Sequence, residues 1–138
     1  MLELLAQGFG IAFQPLNIGL VIAGCALGLF IGAMPGLGSV NGVAILLPMT
    51  FLVPPTGAII FLAAIYYGAM YGGRISSILL NIPGDEPAVM TTLDGYPMAK
   101  NGRAGDALVL SGFASFVGAF LATIGLMLLA KKQLVLLH

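Results

Sequence analysis

Hydrophobic positions run along this chain in long stretches, and proline and glycine divide them more often than charge does. The runs over 16–34, 56–82 and 107–130 each approach or exceed the roughly 20 apolar residues a helix needs to cross a bilayer. They predict three transmembrane helices. A fourth apolar run, 43–54, is shorter and holds Pro48, with Pro54 and Pro55 at its end. Proline removes a helical hydrogen bond and clashes with the preceding turn, so this run reads as a kinked crossing or a re-entrant half-helix. Residues 1–14 are too short to span. Leu2, Leu5, Phe9 and Phe13 fall at helical spacing there, which predicts an interfacial helix lying on the membrane and ended by Gln14-Pro15. Residues 83–106 form the one long polar stretch, expected to be a loop. The fold class is thus all-α integral membrane: three full transmembrane helices, a short kinked or re-entrant helix and an N-terminal interfacial helix.

Small residues add a packing pattern. Gly24, Gly28, Gly32 and Gly36 recur every four positions and share one helix face, with Gly68 and Gly72 as a second pair. Such spacing lets two membrane helices approach closely.

Composition supports this picture and excludes several functions. Of 138 residues, 59% are hydrophobic and 7% charged, and the mean hydropathy is +1.09. Soluble domains carry about 25% charged residues, so a water-soluble globule is excluded. The net charge of zero gives no basic face for nucleic acid. The first apolar run lacks the positive flank of an export signal, since Glu3 is the one charge before residue 74. Cys25 is the single cysteine and His138 the single histidine, so neither a Cys/His nucleophile pair nor a zinc site can be assembled from this chain. Gly36-x-Gly38-x-x-x-Gly42 has the look of a dinucleotide loop but lacks the βαβ setting that such a loop needs. Asp85, Glu86 and Asp94 lie beside basic residues in the polar stretch and read as solvated charge, so no enzyme is expected. Lys100 and Arg103 precede the last spanning run and Lys131 and Lys132 stop it, so positive charge flanks both ends and gives no orientation. Arg74 is the exception inside a spanning run. Such a residue faces a cavity, pairs with an acid or snorkels to the headgroups, and its distance from Ile82 favours snorkelling.

Two breaks carry the candidate chemistry, AMPGLGSVNG over 33–42 and NIPG over 81–84. Broken helices expose helix N-termini that attract anions and freed carbonyls that suit Na⁺ or H⁺. With a half-helix starting at Gly42, the expected substrate- or ion-binding residues are Pro35, Gly36, Gly38, Ser39, Asn41, Asn81, Pro83 and Gly84. Thr91, Thr92 and Asp94 join them from the polar stretch. No cofactor is expected beyond a coupling Na⁺ or H⁺.

The strings GAMPGLGSVNGVAILLPMTF and IYYGAMYGGRISSILLNIPGDEPAVMTTLDGYPMAKNGRAGDAL resemble the large membrane subunit of the tripartite tricarboxylate transporters, the TctA family. Pro35, Gly36 and Gly38 match its PGLG. Tyr67, Gly68, Tyr71, Gly72 and Gly73 match its YYGxxYGG, and Asn81, Pro83, Gly84, Asp94, Gly95, Tyr96 and Pro97 match NIPG and DGYP. Arg74 departs from the small residue expected after YGG. The resemblance implies a multi-pass secondary transporter of the bacterial inner membrane, driven by an ion gradient. It would take citrate-like carboxylates from a periplasmic binding protein and work with a small membrane subunit. Family members are longer, so a truncated or fragmentary member is expected. The alternative is a small, non-transporting membrane protein that packs against another membrane subunit.

Overall fold

The computed structural model describes residues 2–136, and His138 lies outside them. Among the described residues there is no strand. Helix α1 spans Leu2–Ala12 and α2 spans Pro15–Ala33, with Pro15 in the first turn, where its missing N–H costs nothing. Buried Asn17 donates from Nδ2 to the Ile11 carbonyl at 2.7 Å, beside the Gln14 N–H that donates to the same oxygen at 3.2 Å, so the end of α1 is tied to the start of α2.

Helix α3 spans Gly38–Leu46 and tightens into a 3₁₀ segment over Leu47–Leu52. Pro48 has no N–H for the α-helical ladder, and the Thr50 hydroxyl donates to the Leu47 carbonyl at 2.7 Å within the tighter turn. The short helix therefore begins at Gly38 and not at residue 43. Ser39 and Asn41 lie in its first turn, inside the helix that was expected to follow the break.

Helix α4, Pro55–Leu80, is the central element: Phe61, Ala64, Ile65, Ala69 and Ile78, five of the seven buried hydrophobic residues, belong to it. It ends at Asn81, which adopts the left-handed conformation (φ 58°) common just past helix ends. A 3₁₀ turn over Glu86–Ala88 leads into α5, Val89–Lys100, and α6 runs over Ala104–Leu136. Helices α2, α4 and the first 26 residues of α6 are long and apolar enough to cross a membrane.

Two further expectations are corrected here. The polar stretch 83–106 is not a loop, because α5 occupies its middle. The Thr92 hydroxyl bonds back to the Val89 carbonyl at 2.6 Å, and Gly95 lets the helix lie so close to α4 that an added Cβ would meet Ile78 Cγ1 at 2.7 Å. Nor does the helix itself end at Lys131-Lys132: α6 continues to Leu136, while its apolar, span-length part ends at Leu129, just before the basic pair.

The glycine pattern places α2 on α4. A Cβ on Gly24 would stand 2.9 Å from the Phe61 carbonyl oxygen; one on Gly28 or Gly32 would run into the Ile65 or Ala69 carbonyl. Gly68 and Gly72 return the contact against the Cys25 and Leu29 carbonyls. The stripe stops at Gly32. Gly36 lies beyond α2 at φ 88° with nothing within 4 Å of a built Cβ, so it serves the turn and not the helix contact.

A paired substitution tests this interface. Gly28→Ala overpacks backbone against backbone and is expected to cost about 1–3 kcal/mol. Gly19→Ala, on the same helix with open space around it, should be neutral or stabilise by up to about 1 kcal/mol. Thermal unfolding of the detergent-solubilised chain reads both.

Candidate functional site

The two breaks meet. Gly84 packs into the corner between α2 and α4, where an added Cβ would stand 2.6 Å from Gly73 Cα and 2.8 Å from the Gly32 carbonyl oxygen. That close fit brings Asp85 to the start of α3. The Ser39 N–H, one of the helix's unpaired first-turn donors, donates to both Asp85 carboxylate oxygens at 3.2 Å. Gly38 is required twice over at this point. Its φ of 67° disfavours a side chain, and a Cβ would stand 2.9 Å from Asp85 Oδ1.

Around this contact lies an open cleft of about 540 Å³ whose polar lining includes Ser39, Asn41, Tyr66, Asp85 and Glu86. Gly36, Gly38, Pro83 and Gly84 complete the part of its wall drawn from the expected set. Pro35 and Asn81 are exposed and outside this lining. Thr91 and Asp94 line a different cleft, between α4, α5 and α6, and the Thr92 hydroxyl is engaged with its own helix.

Asp85 changes what the first cleft can bind. The helix start that was expected to face an anion already holds the chain's own carboxylate, and Glu86 adds a second negative charge beside it. Oxygen donors from Asp85, Glu86, Asn41 and Ser39 suit a hard cation in preference to an anion. Among the described residues, no three His, Cys, Asp or Glu side chains come together as a metal cluster.

Arg74 lies outside the expected set. A charge at the centre of a spanning helix costs about 2.5–3.5 kcal/mol on insertion scales, so its surroundings matter. Arg74 is the twentieth of the 26 residues of α4, six before its end at Leu80. Nη1 donates to Ser115 Oγ and approaches Ser111 O at 3.4 Å. Arg74 stands between two clefts of about 460 and 320 Å³ and lines both. The signal in the sequence was the arginine itself, but its direction depends on serines 37 and 41 residues away.

The chain matches the family model described as the tripartite tricarboxylate transporter TctA family over residues 18–134. It is 43% identical over 120 residues to an uncharacterized 52.8 kDa protein of Agrobacterium vitis, named for its place in the TAR-I ttuC′ 3′ region. That alignment covers 87% of this chain and 24% of the relative. An uncharacterized protein of Methanocaldococcus jannaschii is 33% identical over 107 residues, covering 75% of this chain and 26% of its own length. The chain thus spans about a quarter of the length of these curated relatives. No solved structure matches it.

Removing the internal cap gives a direct check. Asp85→Ala should destabilise the chain by about 1 kcal/mol, the usual worth of an N-terminal cap, and speed hydrogen exchange at the Ser39 amide. Glu86→Ala removes a carboxylate with no hydrogen bond to α3 and should leave that amide protected, as read by exchange mass spectrometry.

Proposed function

This chain belongs to the tripartite tricarboxylate transporter TctA family, and from that premise we propose that it forms part of the membrane component of an ion-gradient-driven carboxylate transporter. The proposed cargo is a citrate-like di- or tricarboxylate, received from a periplasmic binding protein. A small membrane subunit is the proposed partner, and the bacterial inner membrane the proposed location. The family is one of transporters, not of enzymes.

One observation carries the reading: two breaks more than 40 residues apart in sequence close on one cleft, joined by the Asp85–Ser39 contact. A rigid helical bundle has no need of such a junction. Broken backbone at membrane depth is tolerated where protein or a water-filled cavity satisfies its polar groups, and secondary transporters place their ion sites at such breaks. The acidic lining supports the cation half of the proposal, with Na⁺ or H⁺ as the coupling ion. Asp85 would share a sodium ion with Glu86 and Asn41.

The bare face of α6 favours a second reading. Past Ala107, none of its residues through Leu129 is buried, and Phe113, Phe116 and Phe120 are exposed. A chain that only packs against another membrane subunit would also present such a face.

Equilibrium binding of radiolabelled citrate to the chain in lipid nanodiscs separates the two. The transporter reading expects saturable binding that competes with other di- and tricarboxylates. Affinity should rise about tenfold with Na⁺ or with falling pH, within the usual 5–150-fold range of coupled sites. Absence of binding for every carboxylate tried would leave the packing role.

A further inference from the structure

The geometry points to Arg74 as the group that takes a carboxylate in the paired clefts between α4 and α6. The choice of ligand rests on the carboxylate-transporter reading; the case for an anion does not.

Three observations on the guanidinium lead there. First, among the described residues its hydrogen bonds all run through Nη1, to Ser111 and Ser115. Nε and Nη2 make no hydrogen bond, and no buried side-chain nitrogen or oxygen among the described residues lacks a partner, so these two donors are open to the clefts. Second, the charge is not neutralised. The one ion pair among the described residues is Arg103–Asp106, and Asp94, which shares a cleft with Arg74, does not pair with it. Third, there is room beside the head, where Ala114, Gly118, Ala119 and Ala122 keep the larger cleft free of bulk.

A purely structural role leaves these features unexplained. Tying α4 to α6 through serine hydroxyls needs one neutral donor, and a glutamine would supply it without a charge. The Nε–Nη2 edge left open is the planar fork that binds a carboxylate through two parallel hydrogen bonds. Together the clefts hold several hundred Å³, the scale of a small-molecule site. The acidic cleft shares Met70 with the larger of these clefts but is not lined by Arg74, so the carboxylate site and the acid-lined site are adjacent and separate.

Arg74 and Arg103 are the two arginines of the chain, which makes a selective chemical test available. In an Arg103→Lys background, Arg74 is the sole target of phenylglyoxal, and the adduct is counted by mass spectrometry. Citrate is expected to slow its modification, and inorganic phosphate to do so less. Arg74→Gln should weaken citrate binding about tenfold or more, as loss of a charge-assisted bidentate pair would, with Arg74→Lys in between. Modification that is indifferent to citrate, or Arg74→Gln binding citrate like the parent chain, overturns the inference and leaves the transporter reading standing. A parent chain that binds no carboxylate, with Arg74 protected by phosphate alone, overturns both. The protection assay keeps Arg74 in place, so it decides the matter even where the glutamine variant fails to fold.

Discussion

The architecture depends on backbone meeting backbone between α2 and α4. In a bilayer the lipid tails are as apolar as the side chains, so helices gain little from hiding apolar surface and associate by close packing instead. Gly24, Gly28 and Gly32 on one side and Gly68 and Gly72 on the other bring the two backbones into direct contact along the seam. The consequence reaches past the helices. Gly32 lies in the last turn of α2 and faces α4 beside Gly72 and Gly73, two turns before α4 ends at Leu80. Gly84 then packs back onto that corner, and only with Gly84 there can Asp85 reach Ser39. A single bulky residue in the seam would separate the two breaks that form the first cleft.

This dependence explains what could be read from the sequence. The spanning helices were legible because length and hydropathy alone decide them, and the glycine seam was legible because its four-residue spacing is local. Gly36 keeps that spacing but falls after Ala33, where α2 has ended, and periodicity carries no notice of that ending. Helix α5 was missed because Gly95 and Pro97 argue against a helix locally, while the contact with Ile78 that favours it comes from a residue 17 positions earlier. The start of α3 was misplaced for the same reason. Its cap is Asp85, 46 residues downstream, and no N-capping residue stands immediately before Gly38 to announce it.

Charge is sparse in this protein and its placement is correspondingly informative. Asp85 and Glu86 border one cleft and Arg74 borders others, with α4 between them; Met70 lines both the acidic cleft and the larger of the arginine clefts. Neither set neutralises the other directly. The acidic cleft therefore prefers a cation and the arginine clefts an anion.

The two sides of α4 also differ in how firmly they are held, and this bears on any movement that links them. Shifting α2 against α4 would break a seam of direct backbone contacts that has no side chains able to adjust. Shifting α6 would break the Tyr71 hydroxyl bond to the Leu108 carbonyl and the Arg74 contacts to Ser111 and Ser115. Those contacts end in flexible side chains, and from 108 to 129 α6 has no buried residue to anchor it. Rearrangement is therefore cheapest where the arginine clefts lie, with α2, α4 and the corner at Gly84 acting as the fixed frame. An anion that drew the open Nε–Nη2 edge toward itself would pull on the serine contacts that hold α6, so occupancy of the cleft and the position of that helix would be linked through one side chain.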